Sequence, residues 1–561
     1  MQKVLPDFVA QRGDVVRPAP PVVGASGLRV VAARLTRTTD AQLALLIGLV
    51  LFALAAWPLA LVEVPPLQDL PNHLAAISII QHPDRYPEFV FNGFLKTNSA
   101  LFTWVLVLGR VIGVTAAARL FVLFVLALGA LAWPRFVLAF GGRRRMIVAS
   151  FCVWPMVHNW FVSMGMLDFA LSVPLATFLL VILRAQLERP TVRLGIAMAA
   201  LSIVTWHAHV FPLLVVGMLA AFQVVLASTW RERLRRARTL AVPFVPAGVL
   251  VTRSLWAQIT EPVGAMAGYV QLGRLLPPWE LFYNMWAEWF WAFTWFEIAT
   301  LVPCLGMGLW AIYRWRDRVP FFGPLELTAL AAAYFFTPYT ASNWFHVNSR
   351  FLPFLWMAAL VRLPERLPRW AFAGLGACAV SYAIGMGCDY LRLERDLGRF
   401  TAGMAAVPER SNLLPLVFSA KGTSENTRSL LHAWGYYVVK KLTSAPLLFA
   451  HSRSFPIMYR EPPPPQFNHL VLESFAPSMG SPDWACGVLR SGGVVVDDCD
   501  ALWRARWAAF WRSAEPTFDH VLMWNAPKAV MPLVPPEYRV SFQRDELTIL
   551  ERRDGAMALG K

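Results

Sequence analysis

The chain has 561 residues, of which 57% are hydrophobic and only 15% charged, with a formal net charge of +16. A soluble protein of this length exposes far more charge, so lipid must solvate most of the chain. The positive charge does not point to a nucleic-acid partner, because the arginines gather in short runs between apolar stretches: "GGRRR" at 141–145, "RERLRRAR" at 231–238, "RWRDR" at 314–318 and "RLPERLPR" at 362–369. That is the pattern of cytoplasmic loops in a multi-pass membrane protein.

Residues 1–40 are polar and basic and are expected as a cytoplasmic tail with little structure of its own, too long to be the leading region of a cleaved signal peptide. A first apolar span is expected over 41–62, since about 20 apolar residues cross a bilayer core of roughly 30 Å. Residues 63–115 follow as a large outer loop with two amphipathic pieces near 71–81 and 100–112; the second, "ALFTWVLVLGRVIG", is short and carries Arg110, so it reads as an interfacial helix. A span over 116–139 returns to the basic turn at 141–145. Further spans are expected near 146–161, 165–184, 194–209, 210–229, 240–257, 285–313, 321–340, 349–363 and 370–388, about 11 in all. With that count every basic cluster falls on the inner side and every turn bearing histidine or asparagine on the outer side. The stretch 277–297, with five tryptophans and three glutamates, reads as an aromatic belt or as a lined groove for a lipid tail or a sugar.

An odd number of spans from an inside N-terminus leaves residues 389–561 outside. "SNLLPLVFSA" at 411–420, "DHVLMWNA" at 519–526 and the pair "YRVSFQRD" and "ELTILER" over 538–551 have strand patterns, and "LLHAWGYYVVKKL" at 430–442 has a helical one. A small extracytoplasmic α/β domain is expected there, with "EPPPPQ" at 461–466 as a stiff loop inside it. In an oxidising compartment Cys486 and Cys499 can pair, closing a loop that stabilises by about 3 kcal/mol. No Cys or Cys/His spacing suggests a structural metal.

The ionisable and amide side chains cluster at the outer ends of the spans. Asp69, Asn72 and His73 follow the first span in "PPLQDLPNHLAAISII". His158, Asn159 and Asp168 flank the next outer turn, His207 and His209 stand in "TWHAHVF", and His346, Asn348 and Arg350 stand in "NWFHVNSRFLPF". Four turns converging on one side with polar groups describe a site built between helices at the outer interface. Asp69 and Asp168 can each also serve as helix-start acids. His73, near a helix N-terminus, is expected neutral. His207 and His209 diverge on a regular helix. Arg350 opposes the positive-inside trend and suits a phosphate, or snorkels to headgroups.

The order of one span, an outer-loop Asp, an interfacial helix, a second short helix ending in Gly, "AAARL" at 116–120 and a basic turn resembles the N-terminal module of the GT-C superfamily of membrane glycosyltransferases. "DLPNHLA", "GMLDFALSVPL", "WHAHVFPL" and "SRFLPF" also look like segments of a set of bacterial multi-pass proteins of that type. The likeness spans roughly 41–390; this chain departs from better-known members in having a lone Asp69 where they carry two adjacent acids. The resemblance implies an inner-membrane enzyme that transfers a sugar from a polyprenyl-phosphate carrier to a lipid, glycan or protein acceptor at the outer face. Asp69 would be the general base and Arg350 the phosphate partner. His73 and Asp168 would assist at the reacting centre, and Asn72, His207, His209, His346 and Asn348 would bind substrate. Asp168, His73 or His207 could equally orient Asp69, bind sugar hydroxyls or hold a divalent metal, and the sequence does not choose among these roles. A transporter of lipid-linked saccharides and an inactive envelope scaffold are the competing classes. Transport fits less well, because the polar groups lie at one face rather than along the spans and no internal repeat is visible.

Overall fold

The computed structural model describes residues 38–260, 273–292, 297–341, 344–420, 427–450, 455–491 and 495–553. Most of the expected N-terminal tail, and part of the tryptophan-rich stretch near 293–296, lie outside these residues.

The chain is predominantly helical. Among the described residues five helical stretches are long and apolar enough to cross a membrane: Asp40–Leu61, Val114–Ser150, Leu167–Glu188, Trp230–Trp256 and Arg369–Ala406. Five shorter apolar helices accompany them: Ala100–Ile112, Val192–Ala208, Val210–Val225, Ile298–Tyr313 and Pro324–Phe336. The multi-pass helical class read from composition is therefore the class observed.

Several expected spans differ in detail. Val114–Ser150 is two helices that meet at a kink at Gly142, whose φ of 79° and ψ of 175° are non-helical, so the chain breaks inside the basic stretch 141–145 without forming a longer loop. The span expected over 146–161 is not one helix: the chain breaks after Ser150 into the single turns Trp154–Val157 and Trp160–Ser163. Pro155 starts the first of these turns and the Asn159 side chain caps the second, so local backbone chemistry overrides the apolar run. The arginines of 231–238 open the helix Trp230–Ile259 instead of forming a loop, capped by Thr229. The stretch 285–313 holds two helices, Pro278–Phe290 and Glu297–Tyr313. The helix Arg369–Thr401 continues past the boundary expected at 388.

Three of the four basic clusters meet. Arg145 donates through Nε to the Leu363 carbonyl at 2.6 Å. Arg362, buried, donates to the carbonyls of Arg314, Asp317, Ala358 and Phe322. Capping carbonyls at helix ends satisfies acceptors that otherwise lack partners, so these arginines stitch one end of the helix bundle.

The C-terminal region folds as expected in kind. Strands β2 (Leu413–Val417), β4 (His520–Trp524), β5 (Tyr538–Arg544) and β6 (Leu547–Arg552) form a sheet in the order β2-β4-β6-β5, with β2 and β4 parallel and the other pairs antiparallel. Both β4 and the edge strand β2 are buried along their whole length, the helix His469–Ser478 packing against β2. Cys486 and Cys499 are joined by a disulfide with Cα atoms 5.6 Å apart.

This region is interlocked with the first loop. Strand β1 (Phe89–Phe91) of that loop pairs antiparallel with β3 (Ile457–Tyr459). The Tyr86 hydroxyl donates to the Thr443 carbonyl at 2.9 Å, and Arg85 donates to the Arg410 carbonyl at 2.8 Å. The short helix Gly435–Lys441 lies on the helix Leu70–Gln81 so closely that a Cβ at Gly435 would stand 2.2 Å from the Pro71 carbonyl oxygen.

Candidate active site

The first loop delivers Asp69 to a fixed place. Leu70 and Pro71 open the helix Leu70–Gln81, and Asp69 occupies the N-cap position without its side chain making a capping hydrogen bond. Its backbone N–H donates to the Met164 carbonyl at 3.0 Å, and that of Gln68 to the Ser163 carbonyl at 3.1 Å. This close approach needs Gly165: its φ is +79°, and a Cβ there would lie 2.7 Å from the Asp69 nitrogen. The Asp69 carboxylate, freed from capping, points into a cavity of about 500 Å³.

Around that cavity the structure gathers side chains from several turns between helices and from the C-terminal region. Of the residues read as candidates from sequence, Asp69, His73, Asp168, His209, His346 and Arg350 line it. Asn72 does not: its buried amide donates to the Leu447 carbonyl at 2.9 Å and accepts from the Phe449 N–H at 3.2 Å, pinning the C-terminal region to the helix. His207 also stays outside, held between Thr103 Oγ1 and the Lys96 carbonyl, both at 3.2 Å. Asn348 is buried beside Ser349, behind the cavity wall.

His73 lies beneath Asp69 with its ring edge-on to Phe102 at 5.6 Å. Burial pushes its imidazole down to about 4, against the opposing pull of the Asp69 charge, so it is neutral at pH 7, as its position near a helix N-terminus suggests. Asp168 is buried, and its Oδ1 accepts the Leu101 N–H at 2.8 Å, so it caps the neighbouring helix Ala100–Ile112 from the first turn of its own. Arg350 is buried between the rings of Trp344 and Phe169, 4.8 and 5.5 Å from its guanidinium carbon, and Nη1 lies 2.6 Å from His209 Nε2. Its Nε is buried without a hydrogen-bond partner.

Six further residues went unread in the sequence. Arg274 and Arg428 line the cavity as exposed guanidiniums. Tyr339, also in the wall, contacts His346 Nε2 at 3.3 Å, while His346 Nδ1 is 3.1 Å from Glu288, a buried carboxylate inside the tryptophan-rich stretch. Finally, His432 and Glu473 come from the C-terminal region. His432 Nδ1 is 3.1 Å from Asp69 Oδ1, and its Nε2 is 3.1 Å from Glu473 Oε1. Burial pulls this imidazole down, but the hydrogen bonds and charges of Asp69 and Glu473 outweigh it and hold it at about 9. It is an imidazolium at neutral pH, flanked by two carboxylates.

Asp69 Oδ1 thus lies in ion-pair contact with His432 and accepts from Gln68 Nε2 at 3.4 Å, while among the described residues Oδ2 has no hydrogen-bond partner. The arrangement presents one free carboxylate oxygen to a half-enclosed space walled by arginines and aromatic rings. Such a space can take a proton from a hydroxyl and hold an anion. Among the described residues no group of three or more His, Cys, Asp or Glu is placed to hold a metal ion.

No protein-family model matches the sequence, and no curated protein sequence is similar to it. Solved structures do match. ArnT from Cupriavidus metallidurans in the apo state superposes with a TM-score of 0.50 at 13% identity, covering 93% of this chain and 98% of ArnT. ArnT bound to undecaprenyl phosphate gives 0.48 at 13% identity, covering 95% and 100%. At that identity the likeness is one of fold, and it extends through the C-terminal region as well as the helices. The chain therefore shares the fold of ArnT.

Proposed function

We propose that this protein is a membrane glycosyltransferase that moves a sugar from a polyprenyl-phosphate carrier to an acceptor hydroxyl at the outer face of the inner membrane, with Asp69 as general base. The observation that carries this reading is a cavity of about 500 Å³ lined together by the Asp69 carboxylate and by Arg274, Arg428 and Arg350. The fold supports it, and ArnT has been solved with undecaprenyl phosphate bound.

The chemistry follows from the geometry. Asp69 Oδ2 removes the proton of the acceptor hydroxyl as its oxygen attacks the anomeric carbon. The bond from that carbon to the phosphate oxygen breaks, and its electron pair leaves with the lipid phosphate, whose charge grows. Guanidiniums already in place meet that charge without reorganising. Arg274 and Arg428, exposed on the wall, are the hands for the phosphate. Arg350, committed to His209, Trp344 and Phe169, sets the positive field behind them.

The orientation is supported by where charge lies along the helices. Leu167–Glu188 has Asp168 at the cavity and Arg184 in its last turns; its 22 residues span about 33 Å. Val210–Val225 begins at His209, and the arginines of 231–238 follow its other end. The cavity is therefore at the end away from the basic clusters, which supports the outer face under the positive-inside rule. The disulfide between Cys486 and Cys499 supports the same side for the C-terminal region.

The reading is tested by native mass spectrometry of the purified chain with undecaprenyl phosphate. Wild type is expected to retain the lipid, and Arg274→Ala/Arg428→Ala to lose it at least tenfold. Equal retention by the two proteins would contradict the assignment of the phosphate seat.

A further inference from the structure

Asp69 and Glu473 come from opposite ends of the sequence, yet one buried ring joins them. His432 is 1% exposed and engaged at both nitrogens: Nε2 is hydrogen-bonded to Glu473 Oε1 at 3.1 Å, and Nδ1 to the Gln68 carbonyl at 3.2 Å, with Asp69 Oδ1 in ion-pair contact with Nδ1 at 3.1 Å. With both nitrogens engaged, His432 has no face for a substrate proton, so it cannot itself be the base. We propose that His432 and Glu473 form a positioning arm, supplied by the C-terminal region, that holds the Asp69 carboxylate in its working geometry and completes the active site only when that region is docked on the first loop. The proposal rests on the transferase reading above and names the device that orients its base.

Three sets of contacts make the arm rigid. First, the same segment grips the residue before the base: Gln68 Oε1 accepts the Arg428 N–H at 2.8 Å, and the Gln68 carbonyl is 3.2 Å from His432 Nδ1. Second, Asn72 clamps 447–449 from the other side of Asp69, and Phe449 from that clamp lies edge-on to His432 at 4.9 Å. Third, Gly435 meets the Pro71 carbonyl at a distance no side chain tolerates. Residues 68–72 are therefore held on both flanks by 428–449, and the carboxylate between them has one oxygen fixed and one left for chemistry. Small errors in the placement of a reacting group cost up to about 10²-fold in rate, which gives such an arm its value.

Charge gives Glu473 its part. The groups facing His432 are Asp69 and His73 from the first loop and Glu473 from the helix His469–Ser478. His73 is neutral, so the array is carboxylate, imidazolium, carboxylate. Without Glu473 the buried ring loses half of its stabilising anions, and burial favours its neutral form. A neutral ring bonds a carboxylate less strongly than a charged one. Glu473 thereby acts on Asp69 through His432 and touches no substrate.

The test reads the array and the activity separately. The full chain, carrying ¹³Cε1-histidine in lipid nanodiscs, is titrated by NMR, and His432 is identified by the signal missing from His432→Gln. In parallel, a deletion strain is complemented with each variant at matched protein level, and envelope glycans are quantified by mass spectrometry. We expect Glu473→Gln to lower the His432 midpoint by at least one pH unit and to cut the glycan product at least tenfold. The arm is overturned if Glu473→Gln keeps both the midpoint and the product at wild-type level while Asp69→Asn abolishes product; the transferase reading then stands alone. If Asp69→Asn itself leaves product at wild-type level, the transferase reading fails and takes the arm's catalytic role with it, whatever the NMR shows.

Discussion

His432 Nδ1 lies 3.1 Å from Asp69 Oδ1, so the base of the proposed reaction is held by a ring from the far end of the chain. That contact ties protein stability to pH in a definite direction. The imidazole is raised from 6.5 to about 9 in the folded protein. A group raised on folding stabilises fully below its unfolded value, and that contribution disappears as pH climbs through the folded value. We expect Tm, followed by tryptophan fluorescence in detergent, to fall between pH 6.5 and 9.5. In His432→Gln that segment of the profile is expected to be flat. At pH 6 the same variant should lose about 3–5 kcal/mol, because two carboxylates face each other without the cation between them.

Gly165→Ala tests the backbone side of the same placement. The substitution forces a Cβ against the Asp69 nitrogen at a left-handed φ of +79°. Strain and overpacking of this kind cost about 1–3 kcal/mol. The glycan product should fall at least tenfold even where the variant accumulates to wild-type level. Unchanged product would mean that the loop 163–165 does not position the base.

Removing the disulfide should leave the chemistry alone. Cys486 and Cys499 are 13 residues apart, and closing a loop of that size stabilises by about 3 kcal/mol. Cys486→Ser/Cys499→Ser is expected to lower Tm accordingly and to become insensitive to reductant. Its glycan product should match wild type, since neither cysteine lines the cavity.

The membrane class and the convergence of the polar turns were legible because both are written locally, in apolar run length and in polar residues at run ends. Six of the nine residues read as catalytic or substrate-binding reach the cavity for that reason. Asn72, His207 and Asn348 share those turns but point elsewhere, because adjacent side chains on a helix or loop diverge and one sequence does not say which face the tail will cover. His432 and Glu473 were missed because their role depends on docking of the tail onto the first loop. The available signal was a titratable residue inside an otherwise apolar run, "LLHAWGYYVV" and "HLVLESFA". Glu288 was hidden by the tryptophans around it, which an aromatic belt explains equally well. The broken segment 151–163 shows the limit of hydropathy: Pro155 and Asn159 set two tight turns inside a run that composition alone reads as a span.

The most direct test of the central claim is mass spectrometry of envelope glycans and lipid-linked sugars in a deletion strain complemented with wild type or with Asp69→Asn at matched protein level. General-base catalysis is worth roughly 10²–10⁴-fold, so the account predicts that Asp69→Asn matches the deletion, with one glycan modification missing while its undecorated acceptor and its sugar–lipid donor persist. Full restoration of that modification by Asp69→Asn would contradict the assignment of Asp69 as the base.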